Sequence, residues 1–202
     1  MILSNRAIFE ALDDGRLEVD PEPTPRLTEV GGPPSPFGTT SVDLTLGPFL
    51  QVPQQAQIAI DLRAPGSVAS TLSTISRSEM IDPAQGFRLN PGDFVLGQSL
   101  ERVRLRLPSG IEGVGAARPA LAARVEGKSS RARFGILVHF TAPTIHAGWE
   151  GPITLEISCL GRNSFILYPG LPICQLIIEE VSGAPISNQS QFHQQQTPAG
   201  DR

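Results

Sequence analysis

At 202 residues with 40% hydrophobic content the chain is long enough for one domain with an apolar core, and a net charge of −4 argues against a general nucleic-acid surface. Its 20 glycines and 19 prolines, set against 5% aromatic residues, favour many short strands and tight turns over a helical bundle. No apolar run reaches the length of a membrane span and the N-terminus lacks a basic-then-apolar leader pattern, so a soluble, cytoplasmic chain is expected.

In chain order, Ser4 or Asn5 can cap a short helix through Ala7, Ile8, Ala11 and Leu12 that stops at Asp13, Asp14 and Gly15. Residues 20–39 hold six prolines and read as an irregular connection. Alternation then predicts strands at 41–46 and 58–62, while the Ser-rich, aperiodic stretch 64–85 reads as a long surface loop. A turn at Asn90, Pro91, Gly92 and Asp93 leads into Phe94, Val95 and Leu96. Residues 102–107 alternate strictly, as a half-buried strand with one charged face does. Further strands are expected at 121–125, 135–140, 153–159, 165–168 and 173–178, with a turn at Pro169 and Gly170. Such a series of short strands predicts a mainly β fold, a sandwich, jelly roll or distorted barrel. The domain is expected to span 1–182. From Ser182 the chain becomes rich in Gln, Ser and Pro, so 183–202 reads as a flexible tail.

The chemistry concentrates between Leu121 and Glu156. Arg124, Lys128, Arg131 and Arg133 cluster around a Gly127, Lys128, Ser129, Ser130 turn inside an acidic chain, which points to a built anion site. The turn is not a Walker loop: that motif needs glycine where Ala122 stands and a helix to follow, and strands are expected on both sides. In the strand that follows, Ile153, Leu155 and Ile157 face one way, so Glu156 faces the other with Thr154 and Ser158. A solvent-facing glutamate is the plain reading of that pattern. Cys159 and Cys174 read as buried thiols. Zinc deaminases need His-x-Glu followed by Cys-x-x-Cys; the chain has neither, and His139, His146 and His193 never fall at ligand spacing with the cysteines.

Four segments, GKSSRAR at 127–133, HFTA at 139–142, GWEG at 148–151 and ITLE at 153–156, together resemble the core of the dCTP deaminase branch of the trimeric dUTPase-like family. MILSNR at 1–6, SVDLTLG at 41–47, PGDFVLG at 91–97 and PGLPICQ at 169–175 extend the likeness in family order over nearly the whole chain. The resemblance implies a distorted β-barrel or jelly roll with few helices beyond the N-terminal one, assembled as a homotrimer whose sites combine neighbouring subunits. It implies zinc-independent deamination of dCTP to dUTP and ammonia, without nucleic acid or membrane as partner. Glu156 would be the general base, the Ala142 carbonyl would orient the water, and Ser129 would hydrogen-bond near the reacting centre. Lys128, Ser130 and Arg133 would hold the triphosphate, with Mg2+ bound through its oxygens and water. Trp149 would pack near the deoxyribose and Gln175 would line the pocket.

Two departures from the family pattern follow. Where the family reads Ile-Asp-Pro-Gly the chain has Ile145, His146, Ala147 and Gly148. The family's aspartate contacts the sugar 3′-hydroxyl and, in dUTP-hydrolysing relatives, helps to activate water. Histidine can still hydrogen-bond a hydroxyl but supplies no fixed negative charge. The tail reads QFHQQQTP at 191–198: Phe192 and Gln195 keep the outline of the family's lid without its lysine and tyrosine hydroxyl. Three functions therefore stand: a dCTP deaminase, a bifunctional deaminase–diphosphatase or dUTPase, and a nucleotide-binding regulatory trimer.

Overall fold

A computed structural model of the chain describes residues 1–55, 59–60, 68–107, 118–186 and 196–199. Helix α1 (Asn5–Asp13) starts where Ser4 Oγ accepts the Ala7 N–H at 3.3 Å and buries Ile8 and Ala11. Twelve strands follow in order. They are β1 (Leu17–Asp20), β2 (Val42–Thr45), β3 (Phe49–Pro53), β4 (Ser76–Met80), β5 (Phe87–Leu89), β6 (Phe94–Leu105), β7 (Leu121–Gly127), β8 (Ile136–Leu137), β9 (Thr144–Ile145), β10 (Glu150–Cys159), β11 (Phe165–Leu167) and β12 (Pro172–Glu180). Two more helices interrupt them, α2 (Val68–Ile75) before β4 and α3 (Ser129–Ala132) between β7 and β8.

Antiparallel pairing builds one sheet in the order β4-β3-β6-β10-β8, with β1 added on β6, and a second in the order β2-β12-β7-β9; β5 and β11 form a separate ribbon. Alternation does the sorting. Val103 and Leu105 on β6, Ile153, Leu155 and Ile157 on β10, and Leu176 and Ile178 on β12 are all within 1% of full burial and enter one apolar core. Their polar neighbours face outward, and the candidate residues sit there. The fold is the mainly β, distorted class expected, although the two sheets do not close into a barrel among the described residues.

The differences from expectation are local. Residues 68–80 form α2 and β4 instead of a loop. Because α2 buries none of its residues, it imposes no apolar period on its sequence. The segments at 94–96 and 102–107 belong to one continuous strand, β6. A Cβ at Gly97 would stand 3.0–3.3 Å from Ile157, Leu46 and Leu50, so the glycine that breaks the sequence pattern is what lets the strand pass through the core. The turn expected at 127–130 runs into a short helix, α3, and the strand predicted at 135–140 shortens to β8. Of the strand predicted at 58–62, residues 58, 61 and 62 lie outside the described residues, and 59–60 are not in a strand.

Candidate active site

Glu156 lies on β10 opposite Leu96 of β6, and its face of the sheet points away from the apolar core. It is half-buried. The Phe140 backbone N–H donates to Glu156 Oε2 at 2.7 Å, and the Glu156 N–H donates to the Val138 carbonyl at 2.9 Å. The chain leaving β8 is thus fastened to β10 on both sides of His139. His139 reaches the other way: its Nε2 lies 3.5 Å from Glu126 Oε2 on β7, and its Nδ1 is buried without a partner. Two consecutive residues therefore tie the carboxylate of one sheet to a carboxylate of the other. The exposed Phe140 ring meets Phe94 edge-on, centroids 5.7 Å apart. Ala142, two residues further on, is exposed.

The cationic turn caps β7. Lys128 is the N-cap of α3, and its carbonyl accepts the N–H groups of Arg131 at 2.8 Å and Ala132 at 2.9 Å. This local winding leaves Ser129, Ser130 and Arg133 exposed. Lys128 Nζ forms an ion pair with Asp43 Oδ2 of β2, whereas Arg133 enters no ion pair among the described residues. Arg124, counted with the cationic cluster in the sequence, instead bonds Glu179 Oε1 through Nε at 3.1 Å and through a terminal nitrogen at 2.8 Å. It serves the sheet surface. Gln175 of β12 sits in register between Asp43 and Glu126, and its Oε1 accepts the Ser41 hydroxyl at 3.3 Å. The cationic turn and Gln175 are thus one neighbourhood. Asp43 and Glu126 were not anticipated as part of it. Asp43 was visible as the polar position of an alternating strand, but its meeting with Lys128 depends on a pairing of three strands distant in sequence.

His146 is exposed, in the turn between β9 and β10, and its carbonyl accepts the Trp149 N–H at 3.1 Å. Trp149 is half-buried against the core, with Nε1 donating to the Gly151 carbonyl at 3.1 Å. From this turn to Glu156 the chain runs most of the length of β10, about 20 Å at roughly 3.3 Å per residue. The single chain therefore gathers Lys128, Ser129, Ser130, Arg133 and Gln175 in one region and places His146 and Trp149 apart from Glu156. Phe192 and Gln195 lie outside the described residues. Beyond them, Gln196 Oε1 accepts a hydrogen bond from Arg102 at 3.3 Å and Ala199 is buried.

The family model described as dCTP deaminase-like matches residues 2–181. The chain is 36% identical to the dCTP deaminase of Thermomicrobium roseum, over 90% of this chain and 81% of that one. It is 35% identical to the dUMP-forming dCTP deaminase of Dictyoglomus thermophilum, over 100% of this chain and 94% of that one. Among solved structures it is similar in fold to the 2′-deoxycytidine 5′-triphosphate deaminase from Agrobacterium tumefaciens, with a TM-score of 0.58 at 21% identity. The likeness takes in 89% of this chain and 48% of that one, so the chain spans about half the length of that protein. With a family match from end to end of the β domain and relatives above 30% identity along most of their length, the chain belongs to the dCTP deaminase-like family.

Proposed function

We propose that the chain hydrolyses dCTP to dUTP and ammonia without zinc, with Glu156 as the general base. The observation that carries this reading is the half-buried Glu156 carboxylate, held by the Phe140 N–H at 2.7 Å on a sheet face turned away from the core. A carboxylate fixed in this way can take a proton from water as its oxygen attacks C4 of the pyrimidine. It delivers this proton to ring N3 and then carries the proton of the new C4 hydroxyl to the amino group, so that the C4–N bond breaks, ammonia leaves and a C4 carbonyl remains. Ser129 and the Ala142 carbonyl supply fixed dipoles beside the reacting atoms. Among the described residues no three His, Cys, Asp or Glu side chains converge, and both cysteines are buried in the core.

Lys128, Ser130 and Arg133 hold the triphosphate, and Arg133 stands exposed for a bidentate contact. Mg2+ enters on the nucleotide's phosphate oxygens and water, in keeping with its preference for hard oxygen ligands. His146 and Trp149 take the sugar, Gln175 lines the pocket, and Phe192 and Gln195 close over the nucleotide. The separation of His146 and Trp149 from Glu156 along β10 supports a homotrimer in which each site draws on neighbouring subunits.

A second reading has a specific observation behind it. A relative named for forming dUMP matches the whole chain at 35% identity, nearly the same as a relative named dCTP deaminase. Incubating the protein with dCTP and magnesium and resolving the products by anion exchange separates the two. dUTP with ammonia supports the deaminase, dUMP with pyrophosphate the bifunctional enzyme, and unchanged dCTP contradicts both.

A further inference from the structure

Among the described residues, six polar side chains are buried: Gln51, Ser76, Gln98, Ser99, Glu101 and Ser158. Five are paired. Gln51 donates to Ser78 Oγ at 2.6 Å and accepts from the Ser76 hydroxyl at 3.2 Å. Ser99 donates to the Glu101 carbonyl at 2.7 Å and accepts the Ile153 N–H at 2.8 Å. Glu101 accepts from the Thr45 N–H at 2.9 Å and its hydroxyl at 2.7 Å, and Ser158 donates to the Asp93 carbonyl at 2.9 Å. Gln98 is the exception. Its side chain is 9% exposed and its Oε1 is buried with no hydrogen-bond partner. A buried acceptor left unpaired where the other five buried polar side chains are paired calls for a ligand or a functional partner.

Register says where that partner is. Gln98 of β6 lies directly opposite Thr154 of β10, and Leu96 lies opposite Glu156. Gln98, Thr154 and Glu156 therefore share one sheet face, while Val95, Leu155 and Ile157 fill the core on the other. Gln98 and Glu156 are diagonal neighbours, a relation that sets such positions roughly 7–8 Å apart and brings two long side chains within reach of one water. Glu156 has one carboxylate oxygen engaged by the Phe140 N–H. We propose that Gln98 is a positioning residue for Glu156: a water between the two side chains donates one hydrogen to Gln98 Oε1 and the other to the Glu156 carboxylate. The water joins two polar groups on a single face, the minimum an ordered buried water requires. The bridge holds the carboxylate from the side opposite Phe140, so its two oxygens keep one orientation through proton transfer.

This inference rests on Glu156 acting as the base in dCTP deamination. Its test is Gln98→Met, which keeps length and apolar packing but removes the acceptor, with Gln98→Asn as a second variant that keeps the amide. For Gln98→Met the expected result is an unchanged or raised Tm, a kcat for ammonia release from dCTP lowered about tenfold, and KM within about twofold, since the interaction orients the base and does not bind substrate. Gln98→Asn recovers part of kcat. Unchanged kcat in a folded Gln98→Met protein overturns the assignment. So does a raised KM at constant kcat, which would make Gln98 a substrate contact, or failure of both variants to fold, which would make the amide structural. Wild-type protein that releases no ammonia from dCTP overturns the underlying reading instead, and is told apart by needing no variant.

Discussion

Phe140 and Glu156 are joined by a 2.7 Å hydrogen bond from a backbone N–H to a carboxylate oxygen, across a gap of sixteen residues. A backbone donor fixes a side chain more firmly than another side chain can, because no rotamer of the donor can carry the bond away. His139, one residue before, points at Glu126 on the other sheet. The short stretch after β8 is thus the structural link between the proposed base and the neighbourhood of the cationic turn.

Removing that donor tests the link. Phe140→Pro deletes the N–H, and a hydrogen bond to a charged group contributes about 1.5–3 kcal/mol, so kcat should fall roughly 10–100-fold. Phe140→Ala keeps the N–H and loses only the edge-on contact with Phe94. Steady-state rates should therefore stay much closer to wild type in the alanine variant than in the proline one.

The ion pair of Lys128 with Asp43 makes a prediction of opposite signs for its two members. On the proposed reading, triphosphate shares Lys128 with the Asp43 carboxylate. Asp43→Asn should lower KM for dCTP by about two- to fivefold, as expected from about 0.5–1 kcal/mol for a partly exposed pair. Lys128→Met should raise KM at least about tenfold by removing a charge-assisted contact. A raised KM in Asp43→Asn would mean that Asp43 orients the lysine and does not compete for it.

His146 bears on which product forms. A fixed carboxylate at this position favours water activation for phosphate hydrolysis, and an exposed histidine does not supply one. His146→Asp should raise pyrophosphate release from dUTP about 10²-fold, the low end of a general-base effect. Equal pyrophosphate release by both proteins would remove position 146 from the control of that step.

Cys174 predicts a stability profile. Burial, with the carboxylates of Glu101 and Asp43 adding to it, pushes its thiol well above the usual cysteine range. The unfolded chain loses this proton near pH 8.5 while the folded chain keeps it, so stability is full below about pH 8.5 and declines as pH rises further. Thermal melts between pH 7 and 10 should show a steeper alkaline loss in wild type than in Cys174→Ala. Thiol reagents should label neither Cys159 nor Cys174, both buried, until the protein unfolds.

What could be read from the sequence depended on locality. The Ser4 cap, the buried Ile8 and Ala11, and the outward face of Glu156 all follow from spacing within a few residues, and the structure reproduces them. The family motifs carried the fold because each marks a strand or turn in a fixed order. Helix α2 was illegible because it buries nothing. Beyond β8 the Val138 carbonyl and the Phe140 N–H turn to Glu156, and at Gly135 a Cβ would lie 2.4 Å from the Gly161 nitrogen; both contacts join segments far apart in the chain. Asp43 with Lys128, Phe140 with Glu156 and the unpaired amide of Gln98 depend equally on which strands meet.

Ammonia release from dCTP by wild-type protein and by Glu156→Gln, with nucleotide binding to both followed by calorimetry, tests the central claim most directly. Loss of a general base should lower kcat by about 10²–10⁴ while the variant still binds dCTP. Deamination by Glu156→Gln at the wild-type rate would contradict the account, since no other carboxylate in the described residues is known to share that fastened position on β10.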